Sequence, residues 1–223
     1  MTIDIYYVRH GDPNYVFDTL TKLGRKQAEQ ASQVLKDIPF DVVFSSPVKR
    51  AKQTACYLTR KTKQKIQVID FLSEAIAWKH LTIYNEQAKR TTWVYHSDVY
   101  LEKLKELQDD LEWYKNDCFP PYFEKGVKEF DKELDEWLLS LNIKHNRETK
   151  TFVATGETMK TIVIFAHEGA GTRFFSSILD MNYPKFIIDY PRVDCCSISH
   201  LKITLDGTTP IEIMSYNDCR HLK

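Results

Sequence analysis

The segment Thr161-Ile162-Val163-Ile164-Phe165-Ala166 carries no polar alternation and runs straight into His167-Glu168-Gly169. A strand with one wet face alternates apolar and polar residues, so an unbroken run of this length and β-branched content is expected to be buried. Two other stretches read the same way: Ile3-Asp4-Ile5-Tyr6-Tyr7-Val8, stopped by Gly11 and Pro13, and Asp41-Val42-Val43-Phe44-Ser45. Between them Leu20, Leu23, Ala28, Ala31 and Leu35 recur at helical spacing behind Thr21, a fitting N-cap. Ser46-Pro47 offers a second N-cap followed by the residue best suited to a first helical turn. Strand, helix and strand in succession predict a parallel sheet, and the fold class expected is α/β: a three-layer αβα sandwich with a mostly parallel sheet.

A third strand, Ile66-Gln67-Val68-Ile69, leads to Asp70-Phe71-Leu72-Ser73-Glu74. From about Ala77 to Lys160 the pattern changes to amphipathic helices. Leu101, Leu104, Leu107, Leu111 and Tyr114 mark one helix; Phe123, Val127, Phe130, Leu134, Trp137, Leu138 and Leu141 mark another, with a break at Pro120-Pro121. Residues 77–160 are therefore expected to form a helical insertion that covers the sheet edge within a single domain spanning 1–223. The polar stretch Lys144 to Lys160 reads as loop, with a short hairpin at Thr155-Gly156. Cys196 to Ile203 and Ile211 to Met214 read as edge strands joined through Asp206-Gly207.

With 31 Lys and Arg against 31 Asp and Glu, the formal net charge is zero, which gives no electrostatic case for nucleic acid or an anionic membrane. No apolar run approaches the roughly 20 residues of a membrane helix. Five cysteines without CxxC spacing suggest neither a disulfide framework nor a zinc site, and reduced thiols in a cytoplasm fit them best. Nothing in the sequence specifies an oligomeric state.

In an open α/β sheet the loops beyond the carboxyl ends of the strands border the ligand crevice. Here those loops carry Arg9 and His10, then Glu74, then His167 with Glu168 and Gly169, while Arg50 stands in the first turn of the helix after Ser46-Pro47. Two imidazoles, two guanidiniums and a carboxylate are the parts that phosphoryl transfer without a metal needs: a nucleophile, fixed positive charge around the equatorial oxygens and a proton donor. Each residue alone has a plainer reading. Arg50 could be a solvated helix charge, Glu74 an exposed loop acid, and Arg9-His10 an ordinary turn.

The ordered set resembles the histidine phosphatase superfamily, in its phosphoglycerate-mutase-like branch. The matching pieces are Tyr7-Val8-Arg9-His10-Gly11, the stretch Leu20 to Ala28, the stretch Ser45 to Ala55, and Phe165-Ala166-His167-Glu168-Gly169. The resemblance implies a cofactor-free, metal-independent phosphomonoesterase acting on a small phosphorylated substrate. In it His10 is the nucleophile, and Arg9, Arg50 and His167 hold the phosphate, with Glu168 and Gly169 beside it. Glu74 gives the leaving oxygen its proton, with Glu168 as the rival donor. A phosphomutase is the alternative within enzymes, weakened because Val16 stands near a position where mutases usually carry Asn. A non-catalytic phosphate-ligand binder or scaffold is the alternative outside them. A metal hydrolase using His10, Asp12, His167 and Glu168 lacks helical ligand spacing.

Overall fold

The computed structural model describes residues 1–223. Twelve strands and seven helices follow the order β1 (Thr2–Arg9), β2 (Pro13–Asn14), β3 (Thr19–Leu20), α1 (Lys22–Leu35), β4 (Val42–Ser45), α2 (Lys49–Thr62), β5 (Ile66–Val68), α3 (Glu74–Leu81), β6 (Thr82–Asn85), β7 (Arg90–Trp93), α4 (Asp98–Glu106), α5 (Tyr122–Ser140), β8 (Ile143–Asn146), β9 (Thr151–Ala154), β10 (Thr161–Ala166), α6 (Glu168–Ile178), α7 (Tyr183–Asp189), β11 (Ile198–Thr204) and β12 (Glu212–Asp218). Six strands form the central sheet in the order β12-β11-β1-β10-β4-β5. The last four of that order run parallel, and β11 is antiparallel to β1.

The unbroken apolar runs are buried because both faces of the sheet are covered. Val8, Val43, Val163 and Phe165 point to one side, against Leu35 of α1 and Ala55 and Leu58 of α2. Ile5, Tyr7, Val42, Phe44, Ile162 and Ile164 point to the other, against Phe130, Leu134 and Leu138 of α5 and Phe174, Phe175 and Ile178 of α6. This is the mostly parallel three-layer arrangement that the runs predict.

Several local readings change. Helix α2 starts at Lys49 with Val48 as its N-cap. Ser46 lies two residues before that cap because its backbone N–H still continues the sheet, donating to Phe165 O at 2.9 Å. The region after Glu74 is not helical throughout: it holds the antiparallel hairpins β6–β7 and β8–β9. The second of these turns at residues 147–150, and the turn expected at Thr155-Gly156 lies beyond it. The helix read across Leu101 to Tyr114 stops at Glu106, and Leu111 is 80% exposed. The helix read from Phe123 to Leu141 forms as α5, with Phe123, Val127, Phe130, Leu134 and Leu138 on its buried stripe. Strand β11 is not an edge strand; it lies between β1 and β12. Its hairpin to β12 does pass through Asp206-Gly207, where Gly207 takes the left-handed φ of +76°.

A second core gathers Trp93, Tyr95, Leu104, Trp113, Phe119, Phe123 and Tyr183 under the region after α3. Where α5, β8 and α6 meet, His145 lies between Asp135 and Asp180, at 2.9 and 2.7 Å. Arg147 joins the same group, donating to Asp135 at 2.7 and 2.9 Å and to Asp180 at 3.2 Å.

Candidate active site

Three adjacent parallel strands end side by side, and the residue after each turns into one crevice. His10 N–H donates to Ala166 O at 2.9 Å and Ser46 N–H to Phe165 O at 2.9 Å, so His10, His167 and Ser46 follow β1, β10 and β4 in register. The imidazoles of His10 and His167 have their centroids 5.1 Å apart. His10 is 1% exposed and His167 fully buried.

His10 engages Gly11 O through Nδ1 at 2.8 Å, and Arg50 Nε donates to His10 Nε2 at 3.1 Å. A ring that accepts at Nε2 carries its proton on Nδ1, so this pair of contacts describes a neutral imidazole with its lone pair aimed at Arg50. Burial, with the charges of Arg50 and Arg9 adding to it, pulls the His10 pKa down to about 3. Burial likewise drives His167 well below the usual histidine range, helped by His10 and the same two guanidiniums. His167 meets Ser46 Oγ through Nε2 at 2.7 Å, and its backbone is clamped by Tyr7, whose hydroxyl donates to His167 O at 2.8 Å. His167 Nδ1 and Arg9 Nε are buried and have no partner within the protein.

The stretches flanking the histidine loops act as their supports. Gly11 N–H donates to Thr54 Oγ1 at 3.1 Å, Asp12 N–H to Gln27 Oε1 at 2.8 Å and Leu20 N–H to Gln53 Oε1 at 2.8 Å. Thr21 caps α1 through Gly24 N–H at 3.0 Å and also donates to Asp12 Oδ2 at 2.5 Å. Gly11 and Gly24 meet backbone to backbone: a Cβ on Gly11 would stand 2.4 Å from Gly24 O. The glycines, Thr21, Gln27, Gln53 and Thr54 thus fix the loop that presents His10.

Glu74 opens α3 and is half-buried at the wall of the crevice. Its two oxygens accept the first N–H groups of α6, from Gly169 at 3.2 Å and Ala170 at 2.9 Å. Burial raises its pKa, against the pull of those N–H groups and of Arg50 and Arg9. Gly169 is therefore engaged by Glu74, and Trp93 packs on it so closely that a Cβ would meet the indole at 2.3 Å. Glu168, the rival donor, is held in ion pairs with Arg9 at 2.8 Å and Arg192 at 3.4 Å. His10, Asp12, His167 and Glu168 do not form a metal-ligating group, and no other set of three His, Cys, Asp or Glu side chains does so.

A cavity of about 580 Å³ opens beside Arg50 and Glu74, walled by Tyr15, Val48, Ala75, Trp78 and Trp93, with Asp18 on its rim. The β2–β3 turn brings Asp18 to Arg50 at 2.7 Å and to Lys49 N–H at 3.0 Å, and lays the Tyr15 ring 5.4 Å from the Arg50 guanidinium. Sequence reasoning missed Asp18, Tyr15, Trp78, Trp93, Ser46 and Tyr7 as site residues. Ser46 and Tyr7 lie inside the motifs already quoted; the others carry no local signal, because only the tertiary packing brings them to the crevice.

The profile of the histidine phosphatase superfamily (branch 1) matches residues 5–215. The chain belongs to that superfamily. Among curated proteins it is 26% identical, over 202 residues, to one described as a probable 2-carboxy-D-arabinitol-1-phosphatase of Arabidopsis thaliana; the match covers 85% of this chain and 39% of that protein. Over 66 residues it is 38% identical to the fructose-2,6-bisphosphatase TIGAR of Xenopus laevis, covering 25% of this chain and 24% of that one. The chain thus spans about two fifths of the plant relative and about a quarter of the frog one. A phosphoserine phosphatase of Entamoeba histolytica, solved with 3-phosphoglyceric acid, superposes with a TM-score of 0.63 at 18% identity, over 99% of this chain and 100% of that chain. A mycobacterial glucosyl-3-phosphoglycerate phosphatase gives 0.62 at 18%, over 97% and 99%. These superfamily structures share the fold.

Proposed function

We propose that the protein is a metal-independent phosphomonoesterase that works through a phosphohistidine on His10. The observation that carries this reading is the state of His10: buried, neutral, its Nδ1–H held by Gly11 O and its Nε2 facing Arg50. A neutral ring is a nucleophile at any pH above its pKa, and here that leaves it competent through the whole neutral range.

In the proposed reaction Nε2 of His10 forms a bond to phosphorus as the ester P–O bond breaks. Glu74 gives its proton to the departing oxygen. The carboxylate so formed takes a proton from water, whose oxygen attacks phosphorus; the P–N bond breaks, inorganic phosphate leaves and both side chains return to their starting states. Arg50 holds an equatorial oxygen with the N–H groups that now face His10 and Asp18. The partnerless Arg9 Nε and His167 Nδ1 are buried donors of the kind that an incoming dianion satisfies. Glu74 is the better proton donor because burial favours its neutral form, whereas Glu168 is committed to Arg9 and Arg192. The substrate is a small phosphate ester. The five unpaired cysteines agree with a reducing, cytoplasmic setting.

Hydrolysis of an aryl phosphate in the presence of a chelator tests the reading. Wild-type protein turns over and forms an acid-labile phosphoenzyme, and His10→Ala loses at least about 10⁴-fold in kcat/KM. Activity that survives in His10→Ala, or that the chelator abolishes, would overturn it.

A further inference from the structure

The half of the cavity that faces away from His10 differs in character from the phosphate end. Trp78 and Trp93 meet at right angles with centroids 4.9 Å apart, Val48 and Ala75 extend the same wall, and the exposed Tyr15 ring stands over Arg50. Trp78 is 40% and Tyr15 69% exposed, so both rings hold apolar surface at the mouth that the fold itself leaves uncovered. The charges there are one carboxylate, Asp18, and one guanidinium, Arg50, beside the carboxyl of Glu74. Arg50 is turned inward to His10 and Asp18, and no other cation lines the cavity.

We infer, building on the phosphomonoesterase reading, that this wall selects esters whose leaving group is an uncharged aromatic alcohol. Perpendicular indoles present a face and an edge to an entering ring, the two geometries that aromatic pairs prefer. A leaving group bearing a carboxylate or a second phosphate would meet Asp18 with no free cation to receive it, a juxtaposition that costs binding. The volume of about 580 Å³ lies in the range of small-molecule sites and leaves space beyond a phosphoryl group for a ring.

The test compares four alkyl phosphates, so that the departing oxygen is an alkoxide in each: 2-phenylethyl phosphate, ethyl phosphate, 3-phosphoglycerate and phosphocholine. The phenylethyl ester is expected to exceed ethyl phosphate in kcat/KM by at least about tenfold, since burying a ring contributes more than one decade of affinity, and to exceed 3-phosphoglycerate further. Trp78→Ala brings the phenylethyl-to-ethyl ratio down towards one. Tyr15→Ala, at the more exposed of the two rings, reads the same ratio should the tryptophan variant not fold. Equal turnover of all four, or preference for 3-phosphoglycerate or phosphocholine, overturns the inference and leaves the phosphomonoesterase standing. Turnover of none overturns both.

Discussion

At the strand ends His10 lies against His167 and two guanidiniums with buried donors left unpartnered. Where α5, β8 and α6 meet, the same residue types are arranged in the opposite sense. There His145 has no exposed side-chain surface and a carboxylate at each ring nitrogen, and Arg147 spends its N–H groups on Asp135, Asp180, Ser177 and the Asp131 carbonyl. Burial pulls the His145 pKa down, but its hydrogen bonds to Asp135 and Asp180 outweigh it and leave the value raised. In the first cluster both imidazoles are neutral and two buried nitrogens, Arg9 Nε and His167 Nδ1, have no partner; in the second each ring nitrogen and each charge has its counterpart. Unpartnered buried nitrogens distinguish the one cluster, and saturation marks the other as part of the scaffold.

The largest test of this contrast falls on Glu74. Glu74→Gln keeps one of the two acceptors for the α6 N–H groups but removes the acidic proton, so kcat should fall by about 10²–10⁴-fold while inorganic phosphate still protects against thermal unfolding. Turnover at the wild-type rate would take Glu74 out of the mechanism. On the other side, Asp180→Ala strands His145 and Arg147. It should cost about 3 kcal/mol, a drop of roughly 6–12 °C in Tm, with activity at low temperature unchanged. A large loss of activity without loss of stability would erase the distinction between the clusters.

Opposite pH slopes sharpen it further. His145 has a folded pKa above that of the unfolded chain, so its contribution is complete below about pH 6.5 and is lost as pH rises through the folded value. His10, with a folded pKa of about 3, stabilises above about pH 6.5 and loses that contribution as pH falls toward 3. Scanning Tm against pH for His145→Asn and His10→Ala should show the two variants converging on wild type at opposite ends of the range. The smallest effect belongs to Asp18→Asn. Freeing Arg50 from a half-exposed carboxylate should lower KM by up to about fivefold, and an unchanged KM would mean that the pair does not compete with substrate.

What could be read before any coordinates follows the physics of each signal. The parallel strands were legible because burial on two faces removes polar alternation, and their loops inherit the crevice by topology. The side chains of His10, Arg50, Glu74 and His167 were legible as a set because strand ends and a helix start placed them. Asp18 and Trp93 were not, since a two-residue strand pair and a four-residue hairpin leave too little periodicity to register. Leu111 misled by spacing alone: the apolar repeat continues while the backbone turns away at Leu107. Ser46 was read as a cap because its type suits one, but its hydroxyl serves His167.

Strand β1 has as neighbours only β10 and β11, and the Tyr7 hydroxyl finds His167 160 residues further along. The strand that carries His10 precedes both of its partners in the chain. Until β10 arrives its edges are open, so the wait exposes it to chaperones and to other strands. Closure of that long loop is also a slow step of the kind that high contact order imposes. The same arrangement couples the crevice to completeness: a fragment lacking β10 and α6 brings neither His167 nor the N–H groups that Glu74 accepts to the strand end of His10.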